Sequence, residues 1–134
     1  MSRIGIKGCE RIENHNDIHH EFSENSDKID QCISYSHGTM PRDKLIEDLI
    51  EGRKTLWKSE DGFIYFIIQI YGESGSRYLN IDLAWGNLKE MKSQIESLYD
   101  YAKSLNCRGI TAQGRKGWER ILQAKNLNSV YKPL

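Results

Sequence analysis

Apolar positions along the chain switch between a period of about two and a period of about 3.6 residues, and the switches mark out its elements. The opening IGIKGCERI alternates weakly between polar borders and predicts a first strand over residues 3–12. Residues 13–38 are polar, with Ile18, Phe22, Ile29 and Ile33 as sparse apolar positions, and predict one interrupted helix or two short ones. So few apolar anchors over that length also fit ordering on a partner. Pro41 in a first turn, the stripe Leu45, Ile46, Leu49 and Ile50, and a closing Gly52 predict a helix over residues 41–51. Three strands follow, RKTLWKS, GFIYFIIQIYG and RYLNIDLAW, joined by hairpin-length linkers ED and ESGS. The middle one, Phe63 to Tyr71, is apolar almost without break, so it belongs in the centre of a sheet with both faces covered.

From Asn87 to Asn106 the series Leu88, Met91, Ile95, Leu98, Ala102 and Leu105 keeps the helical period, with Asn87 and Glu90 placed as N-cap and reciprocal N3 partner. RGITAQG then predicts a short strand, RKGWERILQAK a helix turning Trp118, Ile121 and Leu122 to the sheet, and SVYKP a last short strand. This order predicts an α+β fold in one domain over residues 1–134. Its centre is a mostly antiparallel, twisted sheet of about six strands with helices on both faces.

Charge and composition narrow the partners. Nineteen basic and nineteen acidic side chains cancel, so no global field draws the protein to nucleic acid or to an anionic membrane, and recognition has to be local. No apolar run approaches the roughly 18 residues of a membrane span, and MSRIGIKGCER lacks a signal-peptide core, which predicts a soluble cytoplasmic protein. Cys9, Cys32 and Cys107 are widely spaced with no CxxC pair, as expected of reduced thiols. His15 and His19 share a helix face near Asp17 and Glu21, but no further pair completes a metal site and none is expected. Arg115, Lys116 and Gly117 form a candidate anion site at the start of a helix. The competing reading is a tight strand-to-helix turn with solvated charges and Trp118 as its anchor.

The element order resembles the GNAT (N-acetyltransferase) superfamily. The segment YAKSLNCRGITAQGRKGWERIL, residues 101–122, resembles small GNAT-like proteins encoded by tailed bacteriophages. In that group a charged helix ends in a small residue and Cys, a short strand follows, and a G-R-K/R-G-W turn opens the next helix. Here those positions are Cys107, Gly114, Arg115, Lys116, Gly117 and Trp118, and Glu51 to Arg53 followed by Trp57 is a second match. The resemblance implies a GNAT-like sheet whose C-terminal strands are truncated, since the chain stops at Leu134.

Catalytic relatives bind the pyrophosphate of acetyl-CoA on a Q/R-x-x-G-x-G/A loop between the fourth strand and the long helix. Here that loop is reduced to Trp85, Gly86 and Asn87, with one glycine and a bulky neighbour. A Tyr that protonates the departing thiolate in many relatives falls on Leu122. A carboxylate on the fourth strand is the general base in some of them. Asp82 occupies such a place, with Asn80 at i−2, on the face opposite Leu79, Ile81 and Leu83, where it can also simply bond a neighbour.

These departures imply a non-catalytic GNAT-fold protein of a tailed bacteriophage, without a cofactor. Its expected role is a small protein-binding component of the virion or its assembly, as an internal virion or head-to-tail protein located in the virion or host cytoplasm. Partners would be phage structural proteins, with Tyr35, Trp57, Tyr71, Tyr78 and Trp85 divided between interface anchors and core. One alternative is an acyl-CoA-dependent N-acetyltransferase with an atypical cofactor loop, using acetyl-CoA and Asp82. The other is a phage regulator or inhibitor that binds a host protein.

Overall fold

A computed structural model describes residues 5–35, 41–73, 76–112, 125–126 and 130–133. The first strand, β1 (Cys9–Ile12), is shorter than its alternation suggests, because Gly8 at φ 82° turns the chain and the Cys9 N–H closes on the Ile6 carbonyl at 3.0 Å. The polar stretch after it folds as two helices, α1 (His15–Glu24) and α2 (Ser26–Tyr35), separated at Asn25. Asn14 caps α1, its Oδ1 accepting the Asn16 and Asp17 N–H groups at 2.8 and 3.3 Å. Then α3 (Arg42–Ile50) starts after Pro41 and ends through Glu51 and Gly52, the glycine at φ 81° as expected of a left-handed stop.

Three antiparallel strands follow, β2 (Thr55–Ser59), β3 (Ile64–Tyr71) and β4 (Arg77–Gly86), and helix α4 (Leu88–Ser104) carries the chain to β5 (Cys107–Ala112), parallel to β4. The left-handed Asn106, φ 60°, ends α4, and Arg77 Nη1 donates to the Leu105 carbonyl at 3.1 Å. The last strands are β6 (Lys125–Asn126) and β7 (Val130–Pro133), and the sheet order is β1-β2-β3-β4-β5-β7-β6. Among the described residues the sheet has seven strands where about six were expected, because a two-residue β6 adds to the terminal strand; the helix predicted for residues 115–125 lies outside the described residues except Lys125, which is in β6.

Two apolar layers sandwich the sheet. On one face Ile64, Phe66, Ile68, Leu79 and Ile81 meet Met91, Ile95, Leu98 and Ala102 of α4. On the other, Tyr65, Ile67, Leu83 and Trp85 meet Ile18, Phe22, Ile29, Leu45 and Leu49 of α1 to α3. The few apolar residues of the polar stretch suffice because they fall on the sheet-facing side of two short helices.

The placement of Leu83 corrects the simple alternation. Ile67 pairs with Leu83 and Ile68 with Ile81, so Asp82 is an extra residue in β4, a β-bulge. Leu83 therefore shares the α1–α3 side with Trp85 instead of following Leu79 and Ile81. Among the described residues, no helix is long and apolar enough to cross a membrane.

The start of α4 also departs from a reciprocal cap. The Asn87 N–H donates to the Phe63 carbonyl at 3.0 Å, and Glu90 lies against Asp61 of the β2–β3 turn. Desolvation and the Asp61 charge hold the Glu90 carboxyl above its usual range, whereas hydrogen bonds from Ser59 Oγ and the Phe63 N–H hold Asp61 below its own. A raised carboxyl pKa adds stability below the ordinary glutamate range, and that contribution is lost as pH rises through the folded value. Glu90→Gln is therefore expected to raise the Tm at about pH 7.5 and to leave it nearly unchanged at about pH 3.5. Calorimetric melting across that range checks it, and a loss of Tm at the higher pH would contradict the repulsion.

Candidate functional site

Among the described residues, the sequence-predicted site residues fall into two neighbouring groups on the α1–α3 side of the sheet. The first is the turn from β4 into α4. Trp85 is 2% exposed and stacks on Tyr65 with ring centroids 5.0 Å apart and planes 10° from parallel. Its Nε1 donates to Asn25 Oδ1 at 3.2 Å, and Asn25 Nδ2 donates to the Glu21 carbonyl and Oε2 at 2.8 and 3.3 Å. Lys58 Nζ completes the chain, 3.0 Å from Glu21 Oε1 and 5.6 Å from the centre of the Tyr65 ring. Burial and then the Glu21 carboxylate push the Tyr65 hydroxyl above its ordinary pKa. The helix break at Asn25 and the end of β4 are thus tied together through side chains 60 residues apart.

Gly86 is a glycine for a local reason. It lies at φ 120°, and a Cβ built there would come 1.9 Å from the Phe63 carbonyl oxygen. The same oxygen takes the Asn87 N–H. A cavity of about 280 Å³ opens beside this turn, between it, α2 and the start of β3. Gly86, Asn87, Trp85 and Tyr65 are among the residues that line it.

The second group surrounds Asp82, which alternation places with Asn80 on the α1–α3 side of β4, opposite Leu79 and Ile81. Lys54 Nζ bonds one of its oxygens and Asn80 Nδ2 the other. Both Lys54 and Asp82 are withdrawn from water, their side chains 12% and 3% exposed. The chain of polar contacts continues outward: Lys54 Nζ to Gln69 Oε1 at 3.3 Å, Thr111 Oγ1 to Asn80 Oδ1 at 2.6 Å, and the Tyr71 hydroxyl to Thr111 Oγ1 at 3.3 Å. Gln69, Asn80 and Thr111 occupy matched register positions on β3, β4 and β5, so the row crosses the sheet. It lies where β4 and β5 part company: their pairing ends at Ile81 and Ala112, while β4 runs on to Gly86.

The sequence matches no family model and no curated protein.

Asp82 was legible with Asn80 as the polar face of β4, but its partner Lys54 was not, being 28 residues away. Arg115, Lys116 and Gly117, with Trp118 and Leu122, lie outside the described residues. His15 and His19 are exposed on α1, and among the described residues no group of three His, Cys, Asp or Glu side chains could hold a metal ion. Cys107 is buried and Cys9 and Cys32 are half-buried, none of the three in a disulfide; desolvation, then Glu60 and Asp61, push Cys9 up to about 11, well away from thiolate chemistry at neutral pH. Of the aromatic candidates, Trp57 and Trp85 are core, Tyr78 is half-buried and Tyr71 is 42% exposed; the side chain of Tyr35 is outside the described part. The residue that sequence reasoning missed is Phe63, 61% exposed. It looked like the first residue of the buried strand, but β3 begins one residue later, and the preceding Asp61-Gly62 turn was the available signal.

Two sets of variants test this geometry. Gly86→Ala should cost at least about 3 kcal/mol, because a backbone carbonyl cannot yield to the new methyl and the φ is strained. Gly52→Ala, at φ 81° with nothing within 4 Å, should cost only about 1–2 kcal/mol. Equal losses in denaturant unfolding would refute the close approach. Lys54→Met should cost about 3 kcal/mol by leaving the Asp82 carboxylate buried without its cation, and Lys54→Met with Asp82→Leu should recover most of that loss. An additive double variant would show that the pair does not couple.

Proposed function

We propose that the chain is a GNAT-like protein without acetyl-transfer chemistry that serves a tailed bacteriophage as a small protein-binding component of the particle or of its assembly. The observation that carries the non-catalytic part is the β4–α4 turn, where Gly86 is backed against the Phe63 carbonyl and the Asn87 N–H is donated to it. Donors at a helix start bind an anion only while they are open to it, and here the first of them is engaged within the protein. Trp85 is likewise in the core instead of leaving room for a phosphate.

Asp82, the candidate general base, has a donor on each oxygen, Lys54 on one and Asn80 on the other. A base in proton transfer needs a free lone pair aimed at its substrate, and these bonds direct the carboxylate inward. The element order supports the GNAT likeness: antiparallel β1 to β4, a crossover by α4, and β5 parallel to β4. The assignment to a phage rests on the resemblance of residues 101–122 and of the Glu51–Arg53 and Trp57 pattern. A protein-binding role, whether toward phage structural proteins or toward a host protein as a regulator, is supported by the exposed rings of Phe63 and Tyr71.

The acyl-CoA-dependent N-acetyltransferase reading is favoured by one observation, the cavity of about 280 Å³ at the same turn. Calorimetric titration with acetyl-CoA and with CoA separates the two. No saturable heat up to about millimolar ligand is expected, since an affinity weaker than that leaves under about 4 kcal/mol of binding free energy. Saturable micromolar binding would overturn the non-catalytic reading. Mass spectrometry of purified particles should then find the chain among the virion proteins if it is a structural component, and its absence would point to a host partner or an assembly role.

A further inference from the structure

The cavity beside the β4–α4 turn is built from unlike parts. Tyr65 and Trp85 line it but, stacked on each other, stay 7% and 2% exposed, so they offer an occupant little ring surface. One lip is Phe63, whose ring projects into water although its backbone is fixed by the Asp61 carboxylate on its N–H and by the Asn87 N–H on its carbonyl. The opposite wall is α2, which contributes Lys28 and Gln31. Lys28 is exposed and makes no ion pair with a described residue. No carboxylate among the described residues lines the cavity, and Asp61, next to it in the chain, is turned onto Ser59 Oγ and the Phe63 N–H.

Size, shape and charge together select an occupant. At about 280 Å³ the cavity falls below the roughly 300–1,000 Å³ of sites that enclose a drug-sized ligand, so it suits one side chain better than a whole cofactor. The projecting Phe63 ring at the lip favours a flat apolar side chain laid against it, which gains by stacking as well as by burial. A lone cation on the wall, in a chain of zero formal net charge, favours a carboxylate beside that ring. The geometry points to this cavity as the docking site for a partner protein's segment that carries an aromatic side chain next to an acidic one. This rests on the protein-binding reading above and names the surface and the chemistry of the partner. The ring supplies most of the affinity, as a buried aromatic anchor does. Lys28 supplies a smaller, salt-sensitive preference, as an exposed cation does.

The test uses the full chain labelled with nitrogen-15 and the capped dipeptide acetyl-aspartyl-phenylalanine amide as probe, followed by proton–nitrogen correlation spectra. Saturable shifts are expected for the Lys28, Gln31, Gly86 and Asn87 amides and the Trp85 indole N–H. The asparaginyl-phenylalanine analogue should bind about threefold more weakly, and Lys28→Glu should remove that difference. Phe63→Ala should weaken the probe about tenfold; the lost ring is exposed, so the variant keeps its fold, checked by its unchanged spectrum elsewhere. Absence of saturable shifts, shifts scattered away from the cavity, or equal affinity for the two dipeptides would overturn the assignment. Coenzyme A in the same samples separates the two levels: micromolar shifts with it would overturn the protein-binding reading itself, whereas silence with both ligands would overturn only the placement of the docking site.

Discussion

Strand β3 is buried on both faces, and the layers on either side of the sheet follow from that. Ile64, Phe66 and Ile68 point to one side and Tyr65 and Ile67 to the other, and all five are nearly withdrawn from water. Each such side chain gains roughly 1.5–3 kcal/mol by leaving water, so an uncovered face would forfeit several times that amount. One layer of helix cannot cover both faces. The fold therefore has α4 on one side and α1 to α3 on the other, and the hairpin partners β2 and β4 flank β3 within the sheet. The polar character of α1 and α2 follows from the same division, since each short helix needs only a narrow apolar strip against the sheet and leaves its other sides to solvent.

The bulge at Asp82 decides what the α1–α3 side looks like. In an unbroken β4, Leu83 and Trp85 would follow Leu79 and Ile81 onto the α4 side, because side chains alternate strictly along a strand. The extra residue shifts the remainder of the strand by one and sends Trp85 under α2, where Asn25 and Tyr65 receive it. The same shift brings Trp85 to the lining of the cavity at the turn, while Asp82 stays on the side that alternation gives it and bonds Asn80 of the polar row that crosses the sheet.

Chemistry that looks functional in isolation is largely absorbed by this architecture. The glycine at the β4–α4 turn accommodates a neighbouring carbonyl, the first amide of the turn bonds that carbonyl, and the strand carboxylate neutralises a buried ammonium. A buried ion pair of this kind contributes less through its own attraction than through the penalty for losing either partner. Phe63, Lys28 and Tyr71 are among the described residues that this packing leaves open to solvent.

Elements whose signals are local are legible in the residues themselves. The stripe and terminal Gly52 of α3, the period of α4 and the three strands β2 to β4 with their turns all appear where propensity and pattern put them, because capping and amphipathic burial act over a few residues. The sequence also marked Asp82 and Gly86 as unusual. Tertiary structure alone decided why they are unusual: Lys54 reaches Asp82 across two strands, and the Phe63 carbonyl closes on Gly86 from the other end of a hairpin. The same holds for the break at Asn25, the side on which Leu83 falls and the exposure of Phe63. Each of these depends on which distant residue arrives opposite, and pairing register carries no signature in the sequence of one strand alone.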